Sequence, residues 1–147
     1  MEGKVDNLFI GEYRHQLDGK GRLAIPAKFR GNLKKGAVVT KGLDGCLFLY
    51  MPDEWSKLVA KLTQMPISQG NARAFARLML AGAMAVDVDS QGRINLPKYL
   101  IQYAGLRGIS IIAGLMNRLE VWNEKKWEEY KKKTEKESEK LAEALFI

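Results

Sequence analysis

Apolar and polar positions alternate over two separate stretches of the chain, "YRHQL" (Tyr13 to Leu17) and "MAVDV" (Met84 to Val88), and this period of two predicts short strands. Each stretch leads through a glycine-containing turn, at residues 19–21 or 90–92, into a second short strand, "RLAI" or "RINL". A proline follows both times. Pro26 and Pro97 suit the first turn of a helix, where a missing N–H costs nothing, so "AKFRGNL" and "KYLIQYAGL" are predicted as short helices ending near glycine. "GAVVTKG" with "LFLY", and "GISIIAG" with "LEVW", then predict one further hairpin each. Helical spacing over "PDEWSKLVAKL", over the bridging "NARAFARLMLAG" and over "NEKKWEEYKKKTEKESEKLAEALFI" predicts three more helices, the last one long.

The elements recur because the sequence does. A shift of 71 places Asp18 on Asp89, Gly21 on Gly92, Arg22 on Arg93 and Pro26 on Pro97. A shift of 72 further on aligns Gly36 with Gly108, Gly42 with Gly114, Leu47 with Leu119 and Trp55 with Trp127, and the slip marks an insertion between. The predicted organisation is repeat 1 over residues 7–53, connecting helices over 54–82, repeat 2 over 83–124 and a carboxy-terminal helix over 125–147. One strand-turn-strand unit with its helix cannot bury its apolar face, whereas two copies can interleave their hairpins around a common core. The expected fold is mainly β with peripheral helices (α+β), a pseudo-symmetric small barrel.

Composition narrows the function. The 147 residues are about one domain's length, and no apolar run approaches the roughly 18 residues of a membrane span. "MEGKVDNLF" lacks the apolar core of a signal peptide, so a cytoplasmic protein is expected. Cys46, the one cysteine, sits in the strand-like "GCLFLY" and reads as a small buried hydrophobe. His15 is the one histidine. No Gly-x4-Gly-Lys-Ser/Thr or His-Glu-x-x-His pattern occurs, so neither a cofactor nor a metal is expected. Net charge is +7, and the seven bases and one acid between Arg14 and Lys35 contribute +6 of it, whereas residues 124–147 carry seven of each sign. Such a local excess predicts an anionic partner.

The doubled Asp-x-x-Gly-Arg supplies the chemistry. Glycine inside the motif argues for a tight turn over an i, i+4 pair on a helix. There the carboxylate folds back on the guanidinium or on free backbone N–H groups and aims the arginine fork, whose geometry suits phosphate or the O6 and N7 edge of guanine. Candidate nucleic-acid-binding residues are therefore Asp18, Lys20, Arg22, Lys28, Arg30, Asp89 and Arg93. Along the sequence Lys20, Lys28 and Arg30 accompany Arg22, while their counterparts Gln91, Tyr99 and Ile101 leave Arg93 without a basic neighbour. Arg22 is thus expected to meet DNA, and Asp89 with Arg93 chiefly to hold the second hairpin. Trp55 and Trp127 read as helix anchors, and Met65, Met79, Met84 and Met116 as core or interface filler. The apolar end "LAEALFI" could dock on a neighbouring subunit. An enzyme using Asp18 and Asp89 as paired carboxylates would need a pocket and perturbed carboxylates that no sequence feature suggests, so no enzyme is expected; the alternative to DNA binding is a ring-forming structural or antitoxin-like partner-binding protein that assembles without specific DNA.

On "GEYRHQLDGKGRLAIPAKFR" and the later "DSQGRINLP", the chain resembles the MraZ family of bacterial transcriptional regulators, built from two AbrB-like swapped-hairpin repeats. The resemblance covers most of the chain. It implies a pseudo-dimeric β-barrel, ring-shaped homo-oligomers, nucleoid association, and binding to double-stranded promoter DNA at short tandem repeats upstream of the division and cell-wall gene cluster. The family's paired Asp and Arg fall on Asp18 and Arg22, and on Asp89 and Arg93. Two features depart from the pattern: the extension Met1 to Asp6, and Asn95, where an aliphatic strand residue is commoner.

Overall fold

The computed structural model describes residues 9–147, so the extension Met1 to Asp6 lies outside the described residues. The strands are β1 (Ile10–Gln16), β2 (Arg22–Ala24), β3 (Ala37–Lys41), β4 (Leu47–Tyr50), β5 (Met84–Val86), β6 (Arg93–Asn95), β7 (Ile109–Leu115) and β8 (Leu119–Asn123). Six of them form an antiparallel sheet in the order β1-β7-β8-β4-β3-β5, and β2 pairs with β6 as a separate ribbon. The architecture is α+β with two interleaved repeats, as expected. The six-stranded ladder does not close into a barrel, because β2 and β6 bond to each other and, among the described residues, a single isolated β-bridge, Leu17–Leu23, links them to the end of β1.

Every strand of one repeat bonds to a strand of the other. β1 runs against β7 and β3 against β5, while β2 meets β6 and β4 meets β8. Leu23 lies opposite Ile94 and Phe48 opposite Glu120, each facing its own counterpart. Ile25 N–H donates to Gly92 O at 2.9 Å, and its counterpart Leu96 N–H donates to Gly21 O at 2.8 Å. A pseudo-two-fold axis therefore passes through the ribbon and through the β4–β8 pair.

Register departs from that symmetry at one place. Val39 opposes Leu49 and Ile112 opposes Val121. Leu49 and Val121 are 72 residues apart, so the counterpart of Val39 is Ile112, 73 residues on, and not Ile111 as the sequence alignment implies. One residue is gained before β7 and lost in the loop after it. Because strand side chains alternate, this slip decides the face on which each residue of β7 points: Ile112 joins the same core as Val39, and Ile111 the opposite one.

Both faces of the central strands β4 and β8 are covered. Leu47 and Leu49 pack in the larger core with Leu23, Ile25, Ile94 and Leu96 of the ribbon region, and with Phe29 and Leu100. Those last two come from the short helices α1 (Ala27–Arg30) and α4 (Lys98–Ala104), which Pro26 and Pro97 precede as caps. Phe48 and Tyr50 face the other way, against Leu62, Met79 and Trp122. That explains why "LFLY" is apolar throughout. Asn95 points outward between buried Ile94 and Leu96, so its polarity leaves the packing intact.

The second layer of helices comprises α2 (Pro52–Thr63), α3 (Gly70–Ala76) and α5 (Glu124–Lys136). A π-helical turn, Arg77–Ala81, extends α3, and Thr40 Oγ1 donates to Met79 O within it at 2.6 Å. The tryptophans anchor these helices: the Trp55 ring lies 5.8 Å from that of Tyr50, and Trp127 lies 5.3 Å from Trp122. Trp127 Nε1 and Lys131 Nζ both donate to Glu12, and Arg14 pairs with Glu124, fastening α5 to the edge strand β1. The carboxy-terminal segment, expected as one helix, breaks at Glu137 into α5 and α6 (Ser138–Ala144). Of the four methionines read as core or interface filler, Met79 is core, while Met65, Met84 and Met116 are exposed. Among the described residues no helix is long and apolar enough to cross a membrane.

Leu23 and Ile94 are fully buried. Leu23→Ala and Ile94→Ala are each expected to cost about 2–5 kcal/mol in urea unfolding, and the double variant less than their sum, since the two side chains share one contact. A cost below about 1 kcal/mol for either would contradict the role given to the ribbon.

Candidate nucleic-acid interface

The ribbon carries one turn at each end, and the two are built alike. Asp18 Oδ1 accepts from the backbone N–H groups of Lys20 and Arg22, both at 2.9 Å, and its Oδ2 accepts from Arg22 Nε at 2.7 Å. Asp89 Oδ1 accepts from Gln91 N–H at 2.9 Å and Arg93 N–H at 3.0 Å, and its Oδ2 from Arg93 Nε at 3.1 Å. Gly21 and Gly92 have φ of +81° and +78°, the left-handed region where a side chain is strained. A Cβ at Gly21 would also stand 2.9 Å from Leu96 O of the other repeat. The sequence needs glycine there both to turn and to let the repeats meet.

The brace fixes charge as well as shape. Backbone N–H groups, above all that of Arg22 for Asp18 and of Arg93 for Asp89, hold both carboxyls below the usual aspartate range. Each arginine spends its Nε on the brace, and among the described residues no protein acceptor engages its outer two nitrogens. A partly exposed, aimed fork stands at each end of the ribbon.

The remaining candidates are distributed differently from the sequence expectation. Lys20 is exposed in the first turn. Arg30 crosses to the second: a Cβ at Gly92 would fall 2.3 Å from its guanidinium, and its Nε donates to Ile25 O at 2.9 Å. The Arg30 charge also contributes, after partial burial, to holding the His15 pKa below the usual imidazole value. Lys28 Nζ stands 6.0 Å from the centre of the Tyr13 ring. The counterpart of Arg30, Ile101, abuts Gly21, as the interleaved fold requires. Arg93 is therefore not without a basic neighbour, and the charge asymmetry inferred along the sequence is corrected.

Two residues were missed. The depression beside the first turn, about 620 Å³, is lined by Lys98 and Arg107 of repeat 2 together with Asp18, Lys20 and Gly21. Summing charge along the chain could not find them, because the swap brings them from 80 residues away. Cys46 is fully buried, its thiol donates to Leu43 O at 3.2 Å, and burial pushes its pKa up, so it packs as the hydrophobe expected.

Two interleaved repeats, each with an aspartate-braced arginine in its turn, define a duplicated swapped-hairpin protein. The family model described as "MraZ protein, putative antitoxin-like" matches residues 8–78 and again 79–146. A "Transcriptional regulator MraZ" of Natranaerobius thermophilus is 45% identical over 138 residues, covering 94% of this chain and 96% of the relative. Those of Halothermothrix orenii and Acetivibrio thermocellus are 48% and 47% identical, over 94% and 95% of this chain and 96% and 98% of theirs. The chain belongs to the MraZ family, whose relatives here carry the name of transcriptional regulators.

Because the folded Asp18 and Asp89 pKa values are depressed, the braces add stability that is complete above the unfolded aspartate value of about 4 and is lost as pH falls through the folded values. Melting temperature should drop more steeply on acidification from about pH 5 to about pH 2 than in a variant carrying both Asp18→Asn and Asp89→Asn. Equal slopes would show that the turns do not depend on the charged carboxylates.

Proposed function

We propose that this chain is a sequence-specific DNA-binding transcriptional regulator that reads short tandem repeats in double-stranded promoter DNA upstream of the division and cell-wall gene cluster, as a cytoplasmic, nucleoid-associated homo-oligomer. The observation that carries the reading is the pair of identically braced arginine forks at the two ends of one ribbon. A two-stranded ribbon fits the major groove, and an arginine fork can bond guanine O6 and N7 together. In this reading Arg22 and Arg93 meet base edges, and Asp18 and Asp89 fix their aim. Lys20, Lys28 and Arg30, with Lys98 and Arg107, meet phosphates, which position the protein without reading sequence. The equal geometry of the two turns supports reading Arg93 as a DNA contact alongside Arg22.

Titration of fluorescent promoter DNA against scrambled DNA of equal length tests this. Log affinity should fall against log salt with a slope of about −0.9 per phosphate contacted, and Lys20→Ala should reduce the slope by about 1 per bound turn. Arg22→Ala and Arg93→Ala should each cost about 1–3 kcal/mol of specific binding with the fold intact. Two correctly spaced repeats should bind much more tightly than one, because tethered subunits raise the local concentration of the next contact. Salt-independent binding, or equal affinity for scrambled DNA, would instead favour a protein partner.

A further inference from the structure

Between α2 and α3 runs an open groove of about 340 Å³, lined by Leu62, Ile67, Ala76 and Leu80, with Arg73 and Arg77 in its wall. Leu62 and Leu80 also pack in the smaller core, so the groove opens directly off it. Ile67, on the loop that joins the two helices, is 81% exposed. Arg77 opens the π-helical turn and Leu80 lies within it. Turns of that kind are rare and concentrate at functional sites. This one is held from outside: Thr40 Oγ1 donates to Met79 O, and the Tyr99 hydroxyl donates to Gly82 O at 3.0 Å. The groove wall is therefore set before anything enters it.

Charge says what fits there. From Trp55 to Val86 the chain carries four bases (Lys57, Lys61, Arg73, Arg77) and no acid. Arg73 and Arg77 are four residues apart and so are neighbours on one helix face. Arg73 Nη1 donates to Ile67 O at 2.8 Å, while Arg77 has no hydrogen-bond or ion-pair partner among the described residues. Two guanidinium groups beside an apolar trough complement a molecule with one anionic head and an apolar tail. Size decides between a small molecule and a macromolecule. From Ala72 to Leu80 the groove follows about 12 Å of helix. Its volume falls in the range of roughly 300–1,000 Å³ typical of small-molecule sites, whereas a stable protein interface needs about 800 Å² from each partner, more than so short a groove presents.

We propose that the α2–α3 groove is a binding site for a medium-chain acyl carboxylate, with the chain laid along Leu62, Ile67, Ala76 and Leu80 and the carboxylate on the Arg73 and Arg77 guanidinium groups. Ile67 O already restrains the Arg73 fork, so less side-chain entropy is lost when the head arrives. The tail takes its own apolar surface and that of Ile67 out of water together. This site shares no residue with the ribbon or its turns, so it stands or falls independently of DNA binding.

An NMR titration of the full chain with octanoate tests the site. Octanoate should bind saturably, one per chain, and shift the Ile67 and Leu80 methyl and the Arg77 Nε–H resonances. Butanoate should bind at least about tenfold more weakly for the methylenes it lacks, and octanol and octylammonium at least about tenfold more weakly for the missing or reversed charge. Arg77→Gln breaks no hydrogen bond or ion pair within the protein; it should weaken octanoate about tenfold and leave octanol unchanged. Ile67→Asp, at a position too exposed to disturb the fold, should weaken both, and both variants should melt as the native chain does. Octanoate binding that never saturates, octylammonium that binds equally well, or an Arg77→Gln chain with native octanoate affinity would each overturn the proposal. So would phosphatidylglycerol vesicles that bind the chain where octanoate fails, which would assign the groove to a membrane surface, or an octanoate affinity that falls as protein concentration rises, which would assign it to a second copy.

Discussion

Leu23 pressed against Ile94 joins the two halves of this molecule, and the geometry of both turns depends on that contact. β2 and β6 have three residues each, too few to hold together by ladder bonds alone. Burial of these two side chains in the shared core supplies what the bonds do not. If the ribbon parted, Ile25 and Leu96 would lose the carbonyls of Gly92 and Gly21, and each turn would lose the strand that backs it.

The brace then converts a flexible side chain into an oriented one. A free arginine loses considerable rotamer entropy when it binds, and less is lost if its fork is already aimed. Asp18 and Asp89 achieve this by accepting backbone N–H groups on Oδ1 and the guanidinium Nε on Oδ2. The carboxylate is therefore part of the turn as well as of the ion pair. That double role explains why the motif needs a short acid at its first position: aspartate reaches back to a backbone two and four residues on, which suits an Asx-type turn.

Sequence reasoning reached whatever is local. The turn at Asp18 to Arg22, the prolines that open α1 and α4, the apolar run of β4 and the tryptophan anchors all follow from residue chemistry within a few positions. Pairing across repeats is another matter. Identical glycines at positions 42 and 114 drew an alignment that the backbone register does not keep, because loop length before and after β7 sets that register. Arg30 beside Gly92, and Lys98 and Arg107 beside the first turn, escaped notice for a related reason: in interleaved repeats the neighbour in sequence is not the neighbour in space. The break at Glu137 carries no glycine or proline to announce it.

Covalent duplication also gives the molecule a direction. In a true two-fold dimer the ends of the ribbon would be interchangeable. Here Arg22 lies across from Asn95, while Arg93 lies across from Ala24, and the first turn has a lysine where the second has Gln91. Rotating the chain end for end therefore yields a different surface. A rod-like partner laid along the ribbon meets distinguishable head and tail positions, so its own sequence need not be an inverted repeat, and successive protomers set side by side can all face the same way along it.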